Sequence, residues 1–199
     1  TRDAPAAKNV PGARQAPLAW TDAAHNFWLF GGIGYDGDGR LGNLNDLWKY
    51  SPTTGEWVWV SGSAHANQRG HYGTRNIAAG TNVPGARYLS VAWTDEAGNL
   101  WLFGGARARP GGKFKCFSDM WKYSPDSGDW TWVAGPDKTD RSGHYGKRQT
   151  PGAANFPGAR QAASVWARAN GSLWLFGGYG KDSAGNLGDL NGLWRYHAR

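Results

Sequence analysis

One stretch of this sequence recurs three times at a fixed spacing of 73 residues, which restricts the chain to an array of similar units side by side. The segments PGARQAPLAWTDAAHNFWLFGG, PGARYLSVAWTDEAGNLWLFGG and PGARQAASVWARANGSLWLFGG carry it. Arg14, Arg87 and Arg160 share the spacing, as do Trp20, Trp93 and Trp166, then Trp28, Trp101 and Trp174, then Trp48, Trp121 and Trp194. No insertion breaks the register. Thr1-Arg2 matches Thr74-Arg75, so the chain is expected to open late in one unit and to stop at Arg199 inside another.

Each unit reads as four short strands, because aromatic and β-branched runs alternate with turn residues. In the second unit these are Tyr88–Trp93, Leu100–Phe103, Met120–Tyr123 and Trp130–Val133. The connections TDEAGN and SPDSGD have hairpin-turn chemistry, which makes the unit an antiparallel meander. The second strand, LWLF, is apolar throughout and so suits burial on both faces. Trp57 and Trp59 alternate with Val58 and Val60, which puts the two indoles on one face of the fourth strand. The 13 Trp and 31 Gly agree with repeated aromatic packing between tight turns. The single Cys116 excludes an internal disulfide, and the apolar runs are far shorter than the roughly 20 residues a bilayer-spanning helix needs, so no membrane span is expected.

A double glycine after an apolar strand, then LNDLWKY at Leu44–Tyr50, then a turn and Trp57, resembles the kelch repeat, and in its longer form the bacterial kelch proteins similar to the central domain of galactose oxidase. The resemblance implies an all-β fold of kelch-type β-propeller blades. The blades fall at about 14–60, 87–133 and 160–199, the last lacking its fourth strand. Because kelch rings need more blades, the chain is expected to be part of a longer array or a homo-oligomer. The resemblance also implies a secreted or cell-surface bacterial protein. A galactose-oxidase-like copper site needs His and Tyr ligands and a Cys cross-linked to Tyr. Cys116 stands alone and the five histidines show no metal spacing, so no cofactor and no catalysis are expected.

Strand alternation puts the connections after strands two and four at one end. These are the long ones: Ile33–Asn45, Ala106–Ser118 and Tyr179–Asn191, with Ser61–Arg87 and Ala134–Arg160. A protein or glycan ligand is therefore expected on this long-loop face. Two binding constellations lie there. His71, Tyr72 and Arg75 recur as His144, Tyr145 and Arg148, a set that could stack on sugars or grip anions, against the reading that they pin the loop. Arg107, Arg109, Lys113 and Lys115, interleaved with Phe114 and Phe117, form the best anion-facing patch in a chain of net charge +7. In the first unit Asp36, Asp38, Asn43 and Asn45 offer oxygens for Ca²⁺ but lack EF-hand spacing, and turn chemistry accounts for them better. Arg14, Arg87 and Arg160 could likewise hold a ligand, but pairing of Arg14 and Arg87 with Asp46 and Asp119 accounts for them better, whereas the third unit has Gly192 at that position. The leading function is a noncatalytic binding module. A sugar-modifying enzyme on the same fold and a self-assembling structural protein are the alternatives.

Overall fold

A computed structural model describes residues 4–6, 8–167 and 172–197. The described residues are all-β apart from one 3-10 turn at Pro110–Gly112. The first sheet contains β1 (Arg14–Gln15), β2 (Leu18–Thr21), β3 (Phe27–Tyr35), β4 (Leu41–Ser51) and β5 (Glu56–Ser61), with β1 and β2 both on β3 and then β4 and β5 outward. In the second unit, β6 (Val91–Thr94), β7 (Leu100–Phe103), β10 (Met120–Ser124) and β11 (Asp129–Ala134) form a four-stranded antiparallel meander, and β8 (Ala106–Ala108) pairs with β9 (Phe114–Cys116). The third unit has β13 (Ser164–Ala167), β14 (Ser172–Phe176) and β17 (Leu193–His197) in one sheet. Beside it lie β12 (Arg160–Gln161), β15 (Tyr179–Lys181) and β16 (Leu187–Asp189). The described residues thus form five antiparallel sheets, one blade-like sheet per unit with a separate ribbon or small sheet beside it in the second and third.

The core lies between the sheets. Leu18, Trp20, Trp28, Phe30 and Leu47 of the first meet Leu100, Leu102, Trp121, Tyr123 and Trp130 of the second. The other face of the second sheet, with Val91, Trp101, Phe103 and Met120, receives Leu175, Val165, Trp194 and Tyr196 of the third. Strand β7 is thus buried on both faces, Leu100 and Leu102 one way, Trp101 and Phe103 the other. The Trp20 indole donates to the Trp101 carbonyl at 2.9 Å, tying neighbouring sheets together.

Two details differ from the sequence reading. The first strand of the second unit begins at Val91 rather than Tyr88, because Leu89 takes φ 52 and Tyr88 pairs instead with Ala106. Ala16 and Ala162 take the same left-handed turn. These kinks link the units: Leu89 N–H donates to Ala16 O, and Ala162 N–H to Leu89 O. The connections after strand two are β-ribbons rather than loops. In the first unit β3 and β4 run on past the double glycine, pairing as far as Tyr35 with Leu41, and Asp36 closes the tip by accepting the N–H groups of Asp38 and Arg40. Gly31 sits at φ +65, and a Cβ there would stand 2.7 Å from the Arg87 carbonyl; the glycine pair is where the next repeat's backbone docks.

Candidate functional site

At the foot of each ribbon sits an arginine whose guanidinium is fixed by the backbone. Arg87 Nε donates to Gly85 O at 2.8 Å and Nη1 to Gly104 O at 3.0 Å. Its two Nη groups then grip Asp119 at 2.6 and 2.7 Å, with both side chains fully buried. Burial, the largest influence, lowers the arginine's pKa, but the charge and hydrogen bonds of Asp119 together with Tyr72 outweigh it and the pKa rises. One Asp119 oxygen also accepts from Trp121 Nε1 at 2.8 Å and from the Tyr72 hydroxyl at 2.6 Å. Arg14 and Asp46 repeat the bidentate pair at 2.6 and 2.7 Å, with Trp48 as the indole donor at 2.6 Å. The expected pairings are therefore present. In the third unit Arg160 makes the same two backbone bonds, to Gly158 O and Gly177 O, but Gly192 supplies no carboxylate.

These clamps absorb much of the first constellation. Tyr72 is committed to Asp119 and packs against Trp121 and Trp132; burial first, then the Asp119 charge, pushes its pKa up. Arg75 lies over the Trp132 ring at 4.4 Å and donates to Gly135 O. His71 holds its loop through backbone bonds to Val83, and its copy His144 does so with Phe156. Tyr145 packs edge-on against Trp194 with centroids 4.7 Å apart. Arg148 is exposed.

The basic group divides. Lys115 pairs with Asp140 at 2.7 Å, and Phe114 and Phe117 are internal packing, under Tyr179 and Arg87 respectively, rather than surfaces for stacking a ligand. Arg109 and Lys113 are exposed at the tip of the β8–β9 ribbon. Arg107 donates to the Asn67 carbonyl, and its pKa is lowered by burial and then by Arg109 and Arg69. Arg69, which the sequence reading did not single out, thus joins Arg107 and Arg109 in one positive cluster from a different loop. Beside it lies a cleft of about 280 Å³ lined by Ile33, Leu41, Asn43, Asn67, Arg109 and Pro110. Asn43 bridges its walls, exchanging two hydrogen bonds with Ala108 and donating to Asn67 Oδ1. The oxygens of Asp36 and Asn45 accept N–H groups of the first ribbon and its adjoining loop, and that of Asn43 accepts the Ala108 N–H of the second ribbon, so structural bonds account for all three.

No family model and no curated protein matches this chain. Among solved structures, that of YjhT aligns with a TM-score of 0.53 at 16% identity, covering 85% of this chain and 46% of that one. The chain therefore spans less than half of that structure, and the likeness is one of fold.

Cys116 lies buried in β9 with its Sγ toward the Tyr179 carbonyl, and burial followed by the nearby Asp140 charge pushes its thiol pKa up to about 12. A thiol held protonated is a poor nucleophile. Iodoacetamide at pH 8 is expected to leave native protein unmodified and to alkylate it fully in urea, as read by intact mass. Labelling at equal rates in both states would contradict this burial.

Proposed function

We propose that this chain is a noncatalytic kelch-type propeller module whose ribbon face binds the anionic groups of a protein or glycan. The observation that carries the reading is the cleft between the first two ribbons, lined by Arg109 and by Asn67, to whose carbonyl Arg107 donates, with Arg69 adding its positive field at Arg107. Arg109 and Arg69 disfavour the charge on Arg107, and a bound anion relieves that repulsion while gaining charge-assisted hydrogen bonds. The Arg107 bond to Asn67 and the Asn43 bridge hold the cleft walls in place before any ligand arrives. An array of sulfated, carboxylated and neutral glycans tests it. Binding is expected to favour the charged members and to weaken as salt rises, and R107A/R109A is expected to lose about tenfold or more in affinity. Preference for neutral glycans, or indifference to the double substitution, would overturn the reading.

A second reading, self-association, is favoured by the outer face of the third sheet. Trp166, Phe176 and Leu193 are 54%, 43% and 59% exposed. Strand pairing puts Trp166 with Trp174 and Phe176 with Leu193. These residues are the 73-residue copies of Trp93, Trp101, Phe103 and Met120, the face on which the second sheet receives the third. A sheet face of this kind accepts another blade. Under this reading the light-scattering mass rises with concentration and W166E holds it at the monomer value. A wild-type mass that is monomeric throughout would end it.

A further inference from the structure

The three repeats contain one position where the same donors are built twice around a carboxylate and once without it. In the second repeat Arg87 Nη2, Trp121 Nε1 and the Tyr72 hydroxyl all donate to a single Asp119 oxygen at 2.6 to 2.8 Å. In the first, Arg14 Nη2 and Trp48 Nε1 converge in the same way on Asp46. The third repeat keeps Arg160, Trp194 and Tyr145 at the matching positions and replaces the aspartate by Gly192. Arg160 is 1% exposed and held by the same two backbone carbonyls, so its guanidinium is aimed as in the other repeats. Its Nη2 and the Trp194 Nε1 are both buried without a hydrogen-bond partner in the protein.

A buried guanidinium without a counter-ion and with one N–H group unpaired, beside a buried indole N–H without an acceptor, is costly. Burial lowers the Arg160 pKa, and the Tyr145 phenol, close enough to act on the guanidinium through charge and hydrogen bonding, works against that shift. The position of the missing side chain adjoins these donors. A Cβ on Gly192 would stand 3.1 Å from Trp194 Nε1 and 3.6 Å from the Tyr145 ring, and Gly192 is only partly covered while Tyr145 is 39% exposed.

We infer that Arg160, Trp194 and Tyr145 form a binding site for a carboxylate group that enters past Gly192 and takes the place held by Asp46 and Asp119 in the other repeats. The planar guanidinium supplies one N–H, Nη2, to an acceptor oxygen, and the indole N–H reaches the same oxygen. This site is independent of the arginine cluster on the ribbons, since no residue is shared.

The test titrates formate and acetate at constant ionic strength balanced with chloride, following thermal midpoint and tryptophan fluorescence of the whole chain. A saturable rise in midpoint is expected with the carboxylates and not with chloride. G192D supplies the carboxylate internally, and is expected to raise the midpoint by itself and to abolish the response. W194F, which keeps an aromatic ring there and removes the N–H, is expected to weaken binding about tenfold while circular dichroism stays unchanged. Should G192D fail to fold, W194F and R160K still decide the matter, because each alters a donor. Comparing acetate with N-acetyl-aspartate amide separates the sources: tighter binding of the capped aspartate points to a polypeptide side chain, tighter acetate to a free acid. An equal response to chloride, no saturable response, or a response unaltered in W194F would overturn the assignment.

Discussion

Replacing Asp119 with alanine is expected to cost about 3 to 5 kcal/mol of folding free energy, because it leaves Arg87 charged and buried without its partner. Both side chains of the pair are fully buried and two hydrogen bonds join them. The same change deprives the Tyr72 hydroxyl and the Trp121 indole of their acceptor. D46A removes the equivalent carboxylate in the first repeat, where the aspartate side chain is 11% exposed and Arg14 5%, so water can partly replace it and the loss is smaller. Urea denaturation followed by tryptophan fluorescence measures both. The double substitution R87M/D119L, which removes both charges, is expected to recover a large part of the loss. A D119A protein within about 1 kcal/mol of wild type would show that water reaches this pair after all.

Trp130→Ala is expected to cost about 3 to 5 kcal/mol, the range for deleting a large aromatic side chain from a closed core. The Trp130 ring is 1% exposed and packs on Phe30 of the neighbouring sheet as well as on Trp121 and Tyr123 of its own. It is the cross-sheet contact that makes the cavity expensive. Trp57 is the same residue one repeat earlier, only half-buried, with Tyr50 as its ring partner. W57A is therefore expected to cost about 1 to 2 kcal/mol, since water fills the space the ring leaves. Equal losses at the two positions, by the same denaturation experiment, would mean that the sheets do not share the cores described above.

The ribbon cluster and the Arg160 site were legible to different degrees. The positive charges at Arg107 and Arg109 stand out in the sequence, but Arg69 comes from a loop about forty residues away and carries no local mark. Phe114 and Phe117 looked like stacking surfaces among lysines and instead fill the packing around the ribbon, because a ribbon has an inner face and a loop does not. Gly192 was visible as the exception to an Arg and Asp pattern. Only the structure shows that the donors around it stay buried and aimed.

The repeat unit follows from the amino-acid order alone: a 73-residue register, a wholly apolar second strand (FWLF in the first repeat, LWLF in the others), hairpin turns at Asp22 and Asp95, and arginines matched to Asp46 and Asp119. These follow from local turn chemistry and period-two burial, which act within a few residues. The tertiary structure decided which copy of each residue is buried. Trp20, Trp93 and Trp166 are equivalent in sequence, yet the first is 5% exposed and the last 54%. A residue's burial depends on whether a neighbouring sheet covers its face, and that is a property of the stack rather than of the repeat.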